Sequence, residues 1–286
     1  MKTAIIISGQ IRTGTNSKIY NSILKLIELL DADLFISTWD KLGISYNSNI
    51  NDKNFLIKNE SRDFINNFIK NIYNPKKFTI KTSDDFENEL NDFKKNLLNC
   101  SKKEIIQNKY TSIYQSYILK EGWNILKDFE DLNNFKYQKV LRLRPDFLLS
   151  DHYEIKNKLF SNASLVHINT EWCYSPNRVY DVLFGGDRYV MEKLFLLWNN
   201  YDLEFNSDYS LDRYLPADMC RMLISLCFRN NILPYRFETV VGDIVREEDL
   251  NDHFSKVSQR LKKGIKKDIL IIKLIRKIIY YLKNKI

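Results

Sequence analysis

The sequence predicts an α/β domain with an open central sheet, and three stretches carry that prediction. Residues 3–7 form a short apolar run that leads through Ser8, Gly9, Gln10, Ile11, Arg12, Thr13 and Gly14 into a segment over 17–30. There Ile19, Ile23, Leu26, Ile27 and Leu30 share one helical face. Strand, polar glycine-containing loop and helix, in that order, open a Rossmann-like, nucleotide-binding unit, although neither GxxxxGK[ST] nor GxGxxG is present. Residues 33–39, DLFISTW, read as a second buried strand ending on Thr38 and Trp39. Residues 137–151, YQKVLRLRPDFLLSD, supply the central strand. Its Val140, Leu141 and Leu143, followed by Phe147, Leu148 and Leu149, are apolar and β-favouring.

Arg142, Arg144 and Asp146 interrupt that central stretch at a spacing of two, which puts all three on one side of a strand. Pro145 cannot donate to a sheet ladder, so the strand ends or bulges there, and Arg144 and Asp146 fall at its C-terminal edge. Ligands of open α/β sheets bind at that edge. Two guanidiniums aimed at one place suit phosphate oxygens, and a carboxylate beside them suits a divalent cation bridging a diphosphate. The plainer reading of the same residues is a structural Arg–Asp pair. Ser8, Gly9, Gln10, Arg12, Thr38 and Trp39 are expected at the same edge, where Arg12 can meet a phosphate or a base; Gly9 reads equally as a turn residue and Trp39 as a cap on the core.

Between these strands, residues 44–108 are rich in Asn, Lys and Asp, with a helix expected near 61–72, a strand at 77–81 and a helix over 83–98. They read as a variable, acceptor-side region. Ile113, Tyr117, Leu119, Trp123, Leu126 and Phe129 then predict a long helix over 110–129 that delivers the chain to the central strand. Beyond it, 164–169 reads as a strand, and 181–187, DVLFGGD, as another that leads into a helix running to Trp198. Gly185 and Gly186 would let a substrate approach the backbone closely. Asp187 reads either as the N-cap of that helix or as a catalytic acid, and Asp218, at the start of the next helix, has the same two readings. A strand over 233–237 closes the domain.

Composition narrows the classes. With 286 residues, the chain is long enough for one α/β domain or two small ones. Its 4 cysteines are scattered without a CxxC pair and it has 3 histidines, which argues against a zinc site and for free thiols in a reducing cytosol. The apolar run of the N-terminus is too short for a signal-peptide core, so the chain is expected to be unexported and cytoplasmic. The net charge of +8 is concentrated at the C-terminus, where residues 260–286 hold ten Lys or Arg against the single acid Asp268. The remainder is close to neutral, which argues against a nucleic-acid partner. In that segment Ile265, Ile269, Ile272, Ile275, Ile279 and Leu282 recur at helical spacing, with Lys266, Lys273, Lys277 and Lys283 elsewhere. Lysines break every apolar run, so 256–286 is expected to form a basic amphipathic tail lying on an anionic membrane surface rather than crossing it, the plainer reading being an ordinary C-terminal helix packed on the body.

Taken together, ISGQIR, DLFISTWD, the long helix into YQKVLRLRPDFLL, DVLFGGDRYVMEKLF and LPADMCRMLI resemble bacterial surface-polysaccharide glycosyltransferases of the WavE type, which build lipopolysaccharide and capsule. The resemblance spans most of residues 1–245, with 44–108 unmatched, and RxRPD is its most specific element. It implies a single GT-A-like domain over residues 1–255, with a mixed central sheet flanked by helices; the basic tail that follows is expected, from its own charge and periodicity, to lie on the inner face of the cytoplasmic membrane. It implies a nucleotide-sugar donor and a glycan or lipid-linked glycan acceptor.

By the same resemblance Asp146 takes the place of the metal ligand for Mg²⁺ or Mn²⁺. Arg142 and Arg144 lie on the phosphates, and Ser8, Gly9, Gln10 and Arg12 near the nucleotide. Arg144 stands where a DxD motif has its first acid, so an arginine there offers a second way to neutralise the diphosphate. Formation of a glycosidic bond needs cations at the leaving group and a base at the acceptor hydroxyl, for which Asp187 and Asp218 are the candidates. Transfer of a phosphorylated group from a nucleotide donor to a surface glycan is an alternative served by the same cradle, and a non-catalytic membrane-associated scaffold is another.

Overall fold

The computed structural model describes residues 1–41, 62–89, 111–167, 179–201, 219–237, 240–245, 249–250 and 257–259. β1 (Thr3–Ser8) is buried on both faces, as a strand covered by helices on either side must be. A short 3₁₀ turn (Arg12–Thr15) leads to α1 (Ser17–Leu30), whose first turn is capped by the Asn16 side chain accepting from the Lys18 amide at 3.0 Å. Asp31, in the left-handed region with φ 46°, ends α1 and turns the chain into β2 (Ala32–Trp39). α2 (Arg62–Phe68), continued by a π turn to Tyr73, precedes β3 (Lys77–Lys81), and residues 83–89 are helical.

α3 (Thr111–Leu132) lies so close to the sheet that a Cβ at Gly122 would stand 2.7 Å from the Ile6 side chain and 2.8 Å from Ser37 Oγ. The expected central strand divides at Pro145 into β4 (Lys139–Leu143) and β5 (Phe147–Leu149). α4 (His152–Leu159), β6 (Leu165–His167), β7 (Leu183–Asp187), α5 (Arg188–Phe195), α6 (Met219–Arg229), β8 (Pro234–Arg236) and β9 (Gly242–Ile244) follow.

Among the described residues the main sheet has seven strands in the order β3-β2-β1-β4-β7-β6-β8, and β5 pairs with β9 in a separate two-stranded sheet. All neighbours in the main sheet share one direction except β7, which is antiparallel to both β4 and β6. Alternation along the strands sends Ala4, Ile6, Phe35, Val140 and Phe184 into one core with α3, α5 and α6. Ile5, Ile7, Ile36, Leu141 and Leu143 go into the other with α1 and α4. The predicted α/β class, a mixed central sheet flanked by helices, is therefore the architecture of the chain.

The strand at 77–81 and the helix over 17–30 fall where the sequence puts them. No helix among the described residues is long and apolar enough to cross a membrane. The basic tail over 260–286 and Asp218 lie outside the described residues.

Candidate functional site

The connection from β1 runs to β2 on one side, whereas the chain reaches β4 on the other, so the C-terminal ends of β1 and β4 mark the switch point of the sheet, the place where ligands of open α/β sheets bind. Two loops meet there. Gly9 leaves β1 with φ 129°, a conformation open to glycine and strained for any side chain, and its amide donates to the Ser37 carbonyl at 3.1 Å. Pro145 leaves β4 directly above. A Cβ at Gly14 would stand 2.6 Å from the Pro145 carbonyl oxygen, so the loops touch backbone to backbone. From behind, the amide of Val245 donates to the Asp146 carbonyl at 2.9 Å, and Thr13 Oγ1 donates to the Val245 carbonyl at 2.7 Å.

This frame gathers three guanidiniums. Arg142 points to the α3 side and is fully buried. Its Nε donates to Ser8 Oγ at 3.0 Å and its Nη2 to the Ser8 carbonyl at 3.1 Å, while its Nη1 has no acceptor among the described residues. Arg144 forks onto Asp146, Nε to Oδ1 at 2.9 Å and Nη2 to Oδ2 at 2.6 Å. Arg12 reaches Asp146 Oδ2 at 3.5 Å and Gln10 Oε1 at 3.4 Å, from a left-handed backbone with φ 47°.

Burial opposes ionisation of Asp146, but Arg144 and Arg12 together outweigh it and hold the carboxyl below the usual carboxylate range. Burial likewise opposes the charge on Arg144, and Asp146 more than restores it. Burial pushes Arg142 down to about 10, which leaves it protonated at neutral pH.

Ser8, Gly9, Gln10, Arg12, Arg142, Arg144 and Asp146 are thus brought together at one edge. Thr38 and Trp39 end β2 at that edge without joining the cluster. Thr38 is buried, and Trp39 turns into an aromatic group with Phe86, Tyr114 and Tyr117, its ring centroid 5.7–5.9 Å from theirs.

The expectation for Asp187, Gly185 and Gly186 needs correction. β7 runs antiparallel to β4 with Asp187 opposite Lys139, the first residue of β4, so Asp187 lies at the far edge of the sheet, about 13 Å from the cradle along the strand. There it forms an ion pair with Lys139 Nζ at 2.8 Å. Gly185 and Gly186 sit in mid-sheet opposite Leu141 and Val140, where they pack strand against strand.

Because β7 runs backwards, its beginning, not its end, meets the ligand edge. Asp181, two residues before the strand, is buried, and its carboxylate field acts on Arg12, Arg142 and Arg144. It accepts a weak hydrogen bond from Cys220 Sγ at 3.6 Å. Sequence reasoning missed Asp181 as a member of the site; an antiparallel reading of DVLFGGD would have singled it out.

The donor set at Asp146 does not fit a divalent cation. Both carboxylate oxygens are taken by guanidiniums, the side chain is 2 % exposed, and no group of three metal-binding side chains exists among the described residues. Hard cations of this kind take about six oxygen ligands. A cleft of about 380 Å³ lined by Arg62, Asp63, Asn66, Phe78, Thr79 and Ile80 lies at the outer strand β3 and includes none of the expected site residues.

No protein-family model matches the chain, and no curated protein matches it. Among solved structures, it is similar to a protein described as a glucose-1-phosphate thymidylyltransferase from Bacillus anthracis, with 8% identity and a TM-score of 0.42 over 90% of this chain and 95% of that one. It is also similar to a glycosyltransferase involved in glycosylation of the major capsid of PBCV-1, with 7% identity and a TM-score of 0.41 over 88% and 100%. A third is HddC from Yersinia pseudotuberculosis, with 11% identity and a TM-score of 0.40 over 90% and 99%.

Proposed function

We propose that this chain is a glycosyltransferase that moves a sugar from a nucleotide-sugar donor to a growing capsule or lipopolysaccharide glycan. The observation that supports it most is the gathering of Arg12, Arg142 and Arg144 where the β1 and β4 loops meet, at the switch point of a mainly parallel sheet. Guanidiniums grip phosphate oxygens with paired N–H groups, and ligands of such sheets bind at the switch point. As a glycosidic bond forms, negative charge develops on the departing diphosphate, and cations held in place beforehand stabilise it. The RxRPD element that carries the sequence resemblance is the cradle itself, Arg142 to Asp146. With Asp187 at the edge opposite the arginines, Asp218 is the residue we assign as the base toward the acceptor hydroxyl.

Incubation of the full chain with a panel of nucleotide sugars and a lipid-linked acceptor pool, with the nucleotide products separated by chromatography, tests this. Release of a nucleoside diphosphate is the expected result. Release of the monophosphate would point to phospho-group transfer or to a CMP-sugar donor, and no turnover with any donor would favour the scaffold.

The segment 260–286 is proposed to hold the enzyme on the cytoplasmic leaflet, where its ten Lys or Arg each contribute on the order of 1 kcal/mol near an anionic surface. Deleting it should release the protein from anionic vesicles and leave turnover of a short soluble acceptor unchanged. If the truncated chain unfolds, or the intact chain ignores such vesicles at low salt, the segment is an ordinary packed helix.

A further inference from the structure

We infer that the β1–β4 cradle binds the diphosphate of its donor without a divalent cation, Arg12 and Arg144 supplying the positive charge and Asp146 serving only as the positioning residue that aims them. The inference rests on the nucleotide-donor reading and goes beyond it by naming what neutralises the leaving group. Among the described residues three guanidiniums face two carboxylates, Asp146 and Asp181, which leaves one positive charge uncompensated there before any ligand arrives. A dication added there would be repelled by every arginine and find no free carboxylate oxygen on Asp146. An anion meets the opposite situation.

Each arginine has donor capacity left over. Arg144 commits Nε and Nη2 to Asp146, and its Nη1 makes no hydrogen bond among the described residues. Arg142 Nη1 is buried and likewise has no acceptor there. Arg12 is held most loosely, 33 % exposed and with a single contact of 3.5 Å to Asp146. A guanidinium held at that distance can transfer to a phosphate oxygen at little loss, whereas the Arg144 fork is fixed. Asp146 therefore does for the two arginines what a backing group does for a metal ligand: it sets their orientation and keeps them charged.

Calorimetric titration of the full chain with UDP, GDP, dTDP, ADP and CDP, each in chelator and again with Mn²⁺, tests the inference. At least one nucleoside diphosphate is expected to bind with the same Kd, within about twofold, in both conditions. Arg12→Ala should weaken that binding by about tenfold or more, the loss of one charge-assisted contact, with its near-ultraviolet circular dichroism unchanged. Binding that appears only with Mn²⁺ overturns the inference and leaves the donor reading standing. Absence of binding by all five nucleotides in both conditions overturns the two together. Unchanged affinity in Arg12→Ala removes Arg12 from the cradle and overturns the inference as stated.

Discussion

Asparagine in place of Asp146 is expected to lower the stability of the fold by about 3 kcal/mol, a typical cost of breaking a buried ion pair by removing one partner. The carboxylate is almost fully buried and accepts from two guanidiniums, one of them in a two-pronged fork. The amide offers one acceptor where two were used, and its NH₂ group is turned against an arginine. The change therefore loosens the frame that aims the arginines as well as removing a charge.

The pH dependence follows from the sign of the shift. The folded-state pKa of Asp146 is held below its ordinary value, with burial opposing and Arg144 and Arg12 prevailing. Its contribution is therefore fully present above the unfolded value of about 3.9 and lost as pH falls through the lower folded value. Urea midpoints of the two proteins should differ clearly at pH 7 and draw together in acid below about pH 4. Equal midpoints at pH 7 would show that the pair contributes nothing to the fold.

What could be read from the sequence, and what could not, divides along a physical line. Helical periodicity and strand composition are local, so the helix over Ser17–Leu30 and the strand over Lys77–Lys81 were legible to the residue. That the loops after β1 and β4 meet was legible because both strands point the same way, and a loop that follows a parallel strand lies at the C-terminal edge. Strand direction is not local. DVLFGGD has the same residues whichever way it runs, and its antiparallel register carries Asp187 to the far edge while leaving Asp181 at the cradle. Trp39 shows a second limit: the sequence offers it both to the sheet edge and to the core, and the packing of α3 decides that its ring enters the core beside Tyr117. For Arg142, expected on the phosphates, alternation predicts the side of the strand; the Ser8 hydroxyl and carbonyl that engage it belong to another strand.

Gly186→Ala is expected to be the most damaging of the small substitutions, at about 3 kcal/mol or more, because the obstruction is backbone and cannot rotate away. An added Cβ would stand 2.0 Å from the Ser164 carbonyl oxygen and 3.0 Å from Leu165 Cα. That carbonyl already accepts from the Asp187 amide at 2.9 Å, and Leu165 is the register partner of Gly186, so β6 would have to leave β7 to make room. β8 pairs with β6 and would move with it.

At Gly185 the closest atom is the end of the Leu141 side chain at 2.5 Å, which can shift, followed by the Leu159 side chain and the Val140 carbonyl oxygen at 3.1 Å. Gly185→Ala should therefore cost less than Gly186→Ala. A glycine that serves donor approach predicts the reverse pattern, weaker donor binding on an unaltered melting curve. Thermal midpoints for the two variants, measured beside their nucleotide affinities, decide between sheet packing and ligand contact: an unchanged midpoint for Gly186→Ala, with a loss of affinity, would return these glycines to the site.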